Sequence, residues 1–346
     1  MPLMMFIMYG VSILIVWVST DKINTGTIQV GTMTAFITYS MQIVMAFLMI
    51  TMFSVMLPRA SVSAERIDEV LNTKVSIEDK PDTKANPIAN GEVAFEHVSF
   101  AYPGAKENVL EDISFVAKTG QTTAIIGGTG SGKTTLVNLI PRFFDVTKGK
   151  VMVDGTDIRE MSQESLREAI GYVPQKGVLF SGTIASNLRY GKEDATKEQV
   201  MDAARIAQAK EIIDGKKDGL DSAIAQGGSN VSGGQKQRFS IARAIVKDPK
   251  IYIFDDSFSA LDYKTDAILR RELSKKTKEA AVIIVAQRIS TILHAEQIIV
   301  LNEGKVAGIG THQELFDHCA VYREIAESQL SEADIAKLKA QGKEVM

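Results

Sequence analysis

The chain has 346 residues, 45% of them hydrophobic and 23% charged, with a formal net charge of −3 and a single cysteine. That length points to at least two structural units. The slight acidity offers no basic surface for a phosphate backbone, which excludes nucleic acid as a partner, and one cysteine excludes an internal disulfide framework.

In chain order, the first 57 residues stand apart. No charged residue occurs from Pro2 to Thr20, Asp21 and Lys22 interrupt, and charge is absent again from Ile23 to Leu57. About 20 apolar residues in helical form cross a hydrocarbon core of roughly 30 Å. Two membrane-spanning helices are therefore expected, at about 2–19 and 30–57, with a loop from Thr20 to about Gln29. The first is marginal in length, as if its beginning were cut off. No Lys or Arg precedes its apolar stretch, which argues against a signal peptide. Arg59 and Arg66 follow the second helix. Positive charge favours the cytoplasmic side, so the rest of the chain is expected in the cytoplasm of a multi-pass plasma (inner) membrane protein. Met41, Met45, Met49, Met52 and Met56 recur three or four apart, near one helix face. Helix packing or lipid contact explains them most simply; an adaptable lining for hydrophobic cargo is the alternative. Thr34, Thr38, Ser40, Gln42 and Thr51 indicate at least one face turned from lipid.

Ala60 to Leu71 reads as a charged helix continuing beyond the membrane. Lys80 to Gly91, with Pro81 and Pro87, reads as an exposed linker. The expected divisions are a partial membrane domain at 1–59, a helix and linker at 60–90, a domain at 91–327, and a charged tail or frayed helix at 328–346.

Beyond Gly91, short apolar runs (Thr122–Ile126, Ile251–Phe254, Val282–Val285) alternate with helical stretches. That pattern predicts an α/β fold, a parallel sheet covered by helices. Between the first run and its helix stand Gly127, Gly128, Thr129, Gly130, Ser131, Gly132, Lys133 and Thr134, followed by Thr135. They match the phosphate-loop pattern G-x4-G-K-[ST] in its required strand–loop–helix setting. The glycines let several N–H groups converge on phosphate oxygens, and the following helix adds its positive end. Lys133 is expected on the β- and γ-phosphates of ATP and the Thr134 hydroxyl on Mg²⁺. The run Ile251–Asp255 ends in a carboxylate at the edge where a parallel sheet presents its ligands, so Asp255 is a second Mg²⁺ candidate. His97, His294, His312, His318 and Cys319 show no metal-ligand spacing.

Val231-Ser232-Gly233-Gly234-Gln235-Lys236-Gln237-Arg238 resembles the signature motif of ABC ATPases. Other motifs of that family follow in order. Tyr102 in FAYPG resembles the aromatic that stacks on adenine. Gln175 in YVPQ resembles the glutamine loop, which implies a role in catalysis and at Mg²⁺. Ser259-Ala260-Leu261-Asp262 resembles the loop that crosses the dimer interface. With the apolar helices, the chain is similar to the end of an exporter-type half-transporter. The resemblance implies a P-loop core, a small antiparallel β subdomain over the adenine, and a helical subdomain from about Lys176 to Val246. It also implies a dimer holding two ATP molecules, in which Ser232, Gly233, Gly234 and Gln235 of one subunit complete the ATP site of the other. A half-transporter of this family is expected to carry six membrane helices, so about two indicates its C-terminal portion.

Two positions depart from the family pattern. Asp256 stands where Glu usually activates water, and Gln287 where His is usual; Gln226 replaces a frequent Glu more mildly. Glutamine can donate to a γ-phosphate but cannot relay a proton. An intact signature beside altered catalytic positions resembles the degenerate half of a heterodimer, with a homodimer of tolerated variants as the alternative. The implied function is ATP-driven export of a small molecule, of a hydrophobic drug- or lipid-like kind, across the membrane. A non-hydrolysing regulatory subunit, or an ABC ATPase outside transport, are the other readings.

Overall fold

The computed structural model describes residues 2–81 and 87–329. The chain divides into two compact units, Met1–Ser76 and Ile77–Met346.

The first unit is a helical hairpin of α1 (Pro2–Asn24) and α2 (Val30–Leu71). Helix α1 runs past the expected end, through Asp21 and Lys22. Charges do not stop a helix; a left-handed residue does. Gly26, at φ 69°, closes it with Gly26 N–H donating to Ile23 O and Thr27 N–H to Lys22 O, the paired bonds of a glycine C-cap. The expected ten-residue loop shrinks accordingly. Helix α2 is one continuous rod in which the charged stretch after Ala60 continues the apolar one, with Pro58 inside. At 1.5 Å per residue its 42 residues reach about 63 Å, roughly twice a hydrocarbon core. Both helices are long and apolar enough to cross a membrane. The hydroxyls of Ser12, Thr34, Thr38, Thr51 and Ser54 each bond to the carbonyl four residues back. Thr34, Thr38 and Thr51 thus satisfy their polarity within the helix and need no watery face. The five methionines are all exposed on α2.

The second unit opens with β1 (Val93–Phe100), β2 (Leu110–Ala117), β3 (Thr122–Gly127), α3 (Lys133–Leu139), β4 (Lys148–Val153) and β5 (Thr156–Asp157). Next come α4 (Gln163–Glu168) and β6 (Ile170–Val173). A mainly helical segment follows: β7 (Gly182–Thr183), α5 (Ile184–Arg189), α6 (Lys197–Ile206), α7 (Lys210–Asp214), β8 (Ala223–Ile224) and α8 (Gly233–Lys247). The described chain closes with β9 (Ile251–Asp255), α9 (Tyr263–Lys276), β10 (Ala281–Val285), α10 (Ile289–Ile292), β11 (Gln297–Asn302), β12 (Lys305–Gly310), α11 (His312–His318) and α12 (Ala320–Gln329). Ser328 and Gln329, expected in a tail, belong to α12; the remainder of that expected tail, 330–346, lies outside the described residues.

The main sheet has the order β12-β11-β3-β10-β9-β6, parallel except for β12. Alternate residues of its strands feed two separate cores. Ile126, Phe254, Ile284 and Val300 join the helices on one face. Ile125, Ile253, Ile283 and Leu301 join α3 and the antiparallel sheet β2-β1-β4-β5 on the other. Both faces are dry, so the strands read as unbroken apolar runs rather than as alternation.

The expected exposed linker, Lys80 to Gly91, and the two residues before it are partly tied down. Arg142 Nη2 donates to Glu78 O and Gln163 N–H to the Asp79 carboxylate. Asp154, in the Asp-Gly hairpin between β4 and β5, accepts from Ala89, Asn90 and Glu92 N–H, and Ile88 packs on the core. Short polar anchors of this kind leave no periodic trace in the sequence. Residues 82–86 of that linker lie outside the described residues.

Candidate functional site

Four loops leave the C-terminal edge of adjacent parallel strands: 127–132 after β3, Ala286–Arg288 after β10, Asp256–Asp262 after β9, and Pro174 onward after β6. They are far apart in sequence but consecutive across the sheet. Such an edge is where open α/β sheets bind ligands.

The 127–132 loop curls because Gly130 and Gly132 take φ of +82° and +96°. A Cβ on Gly132 would meet Leu110 Cδ2 at 2.7 Å, so only glycine fits there. Gly132 caps α3, and the Lys133 ammonium turns back into the loop. It donates to Gly127 O at 2.9 Å and Gly128 O at 2.7 Å. Burial lowers the Lys133 pKa, and the nearby Asp256 and Asp255 charges oppose the shift. The Thr134 hydroxyl donates to Asp255 Oδ1 at 3.0 Å. Asp255 is 2% exposed. Burial raises its pKa, against the hydrogen bond from Thr134.

Next to it, Asp256 stands in a left-handed conformation at φ 47°, with its N–H on Val285 O. Two amides converge on one of its oxygens. Gln287 Nε2 donates to Oδ2 at 2.6 Å and Gln175 Nε2 at 3.1 Å. Sequence-distant Gln175, Asp256 and Gln287 therefore form one cluster beside the lysine. Tyr102 joins through its hydroxyl, 3.0 Å from Thr135 Oγ1, while its ring packs edge-on against Phe100 and Phe144.

The signature residues and Asp262 form their hydrogen bonds elsewhere. Ser232 caps α8: its hydroxyl accepts from Gln235 N–H and the Gln235 side chain accepts from Ser232 N–H. Ser232 and Gly233 are exposed, and the Gly233 and Gly234 amides lie in the first helical turn, where no intrahelical acceptor exists. Asp262 caps α9 by accepting from Thr265 N–H.

Two residues that shape the site lie inside motifs but carry no expected role of their own: Tyr172 opens YVPQ and Gln237 stands in the signature run. Tyr172 donates to Asn138 Oδ1 at 2.9 Å, and burial and the Asp255 charge push its pKa up. Gln237, 2% exposed, grips the glutamine loop on both sides of Gln175: its Oε1 accepts from Gly177 N–H and its Nε2 donates to Pro174 O. Its place two residues after Gln235, on the same helix, is the only sign of this role in the sequence. Among the described residues, no cluster of three His, Cys, Asp or Glu side chains stands ready for a metal.

Comparison with known proteins agrees with this arrangement. Residues 110–259 match the family described as ABC transporter. An uncharacterized ABC transporter ATP-binding protein of Mycobacterium bovis is 48% identical over 329 residues, covering 94% of this chain and 56% of its own length. A Bacillus subtilis protein, whose name assigns it to multidrug export as an ATP-binding/permease protein, is 41% identical over 301 residues, covering 87% and 52%. The solved structure of a bacterial Atm1-family ABC exporter with ATP bound superposes with a TM-score of 0.76 at 32% identity, covering 88% of this chain and 53% of that one. The chain thus spans about half the length of the relatives it matches. With the phosphate loop and the signature turn, these matches identify residues 110–259 as belonging to the ABC transporter family, and over most of its length the chain is similar to exporter-type members of that family.

Proposed function

We propose that this chain is an ATP-binding and ATP-hydrolysing subunit of an exporter dimer, that its own ATP site is slow, and that its signature turn completes the site of a different partner subunit. The carrying observation is the double amide grip on Asp256 Oδ2. A carboxylate that activates water must reach it directly. Asp is one methylene shorter than Glu, about 1.5 Å, and here one of its two oxygens, Oδ2, is already engaged by Gln175 and Gln287. The phosphate loop with Lys133 holds the triphosphate and Tyr102 stacks on the adenine. Thr134 and Asp255 supply the oxygen ligands that suit Mg²⁺, which commonly binds through one or two protein groups plus substrate phosphates, and Gln175, hydrogen-bonded to the neighbouring Asp256, is the third candidate ligand. The Ser232–Gln235 turn and Asp262 face a second subunit. The apolar hairpin sits in the lipid bilayer of the plasma (inner) membrane with the ATP-binding unit on the cytoplasmic side. A drug-like cargo fits the name of the Bacillus relative.

Single-turnover hydrolysis by the full chain, against an Asp256→Glu/Gln287→His variant, tests the reading. The variant is expected to be faster by at least tenfold, about 1.4 kcal/mol of barrier; a fast parent that the double change does not improve rejects a slow site. The same grip on Asp256 favours a second reading, a non-hydrolysing regulatory subunit. Turnover with and without a co-expressed partner separates the two.

A further inference from the structure

The loop carrying Gln287 is held from a distant part of the chain. Helix α10 begins at Ile289, and its N-cap residue, Arg288, makes no side-chain cap. The orphan N–H of Ile289 finds its acceptor 40 residues downstream, on Gln329 Oε1 at 2.9 Å. The same side chain's Nε2 donates to Gln287 O, also at 2.9 Å. The amide has one orientation that works, because a backbone N–H only donates and a carbonyl only accepts. Gln329 is the last described residue of α12, whose place is set by buried packing. Tyr322 and Ala326 are 0% exposed in the same core as Ile289 and Ile292, and the Tyr322 hydroxyl meets His312 Nδ1 at 2.6 Å. A continuous path therefore runs from the α12 anchor, through the Gln329 amide, to the backbone of Gln287, and on through its side chain to Asp256 Oδ2.

We infer that Gln329 is a positioning residue for Gln287, so that the C-terminal helix sets where the amide beside Asp256 stands. The inference rests on the proposed reading of Gln287 as part of the ATP site, held on Asp256. It implies that anything displacing α12 retunes the nucleotide response of this loop without touching the phosphate loop.

Hydrogen exchange on the full chain in detergent micelles, with and without ATP and Mg²⁺, tests it in the parent, Gln329→Met and Gln329→Glu. Methionine keeps the side chain's length and removes both hydrogen bonds. Exchange across residues 286–290 is expected to rise about tenfold in Gln329→Met, the equivalent of one lost net hydrogen bond. ATP-dependent protection of that segment should shrink, while protection of 127–135 stays as in the parent, which also shows that the variant is folded. Gln329→Glu keeps the bond from Ile289 and loses the donation to Gln287 O, so it should fall between. Parent-like exchange and parent-like ATP protection in Gln329→Met overturn the positioning role alone, since packing would then suffice. A parent in which ATP protects 127–135 but not 286–290 overturns the reading of Gln287, and this inference with it.

Discussion

At the residue scale, the ATP site is a set of charges held ready by burial. Among the described residues, the Lys133 ammonium has no carboxylate within hydrogen-bonding distance; it leans on the carbonyls of its own loop. Its depressed pKa reflects lost hydration, which anionic phosphates would restore. Replacing it removes a charge-assisted contact of about 1.5–3 kcal/mol. Lys133→Ala should therefore weaken ATP binding by roughly ten- to hundredfold in calorimetric titration. The fold should survive, because the side chain packs in neither hydrophobic core. Gln175 and Gln287 show the other side of the same physics. Each is an ordinary surface glutamine until the sheet edge brings it to a carboxylate, and the amide then commits to that partner.

At the element scale, the C-terminal helices α11 and α12 carry a titratable group inside their contact. His312 is buried against Tyr322 at the start of α11. Burial, with some help from the nearby His294, lowers its pKa, so the folded protein keeps the ring neutral. The unfolded chain gains a proton as pH falls through the ordinary histidine value of about 6.5. Protons then bind the unfolded state more, and folding stability must drop on acidification below that value. Thermal unfolding followed from about pH 7.5 to 5.5 should show a falling midpoint, with a shallower fall in His312→Phe. An equal fall in both would assign the acid sensitivity to other groups. The elements that carry the candidate site's loops are held on both faces. Their strands alternate between two dry cores, so each loop leaves from a backbone that both faces hold in place.

At the scale of the whole molecule, two units of opposite solvent preference share one chain. Helices α1 and α2 expose nearly all of their apolar side chains and back-bond their hydroxyls, the arrangement that lipid requires. The Ile77–Met346 unit buries two apolar cores of its own. The full chain should sediment with membranes and resist high-salt extraction, whereas a chain beginning at Ile77 should remain in the supernatant after centrifugation. Release of the full chain by salt alone would show that the hairpin is not inserted.

The phosphate loop, the strand ending in Asp255, the signature turn and the apolar helices were legible in the sequence because each is local. A loop that needs positive φ needs glycine, and a span through lipid needs an uncharged run. Gln175, Asp256 and Gln287 were recognisable as separate motif positions, but their meeting at one oxygen was not, because it depends on the strand order β3-β10-β9-β6. Gln237 and Gln329 carried no sign of their partners, which lie about 60 and 40 residues away. The same held for Asp154 and the linker it ties. Sequence by itself determined the chemistry available and the kind of element bearing each group. Tertiary structure alone decided which groups touch, because a hydrogen bond between distant residues is a property of how strands are ordered and helices are docked, and neither leaves a period or a spacing along the chain.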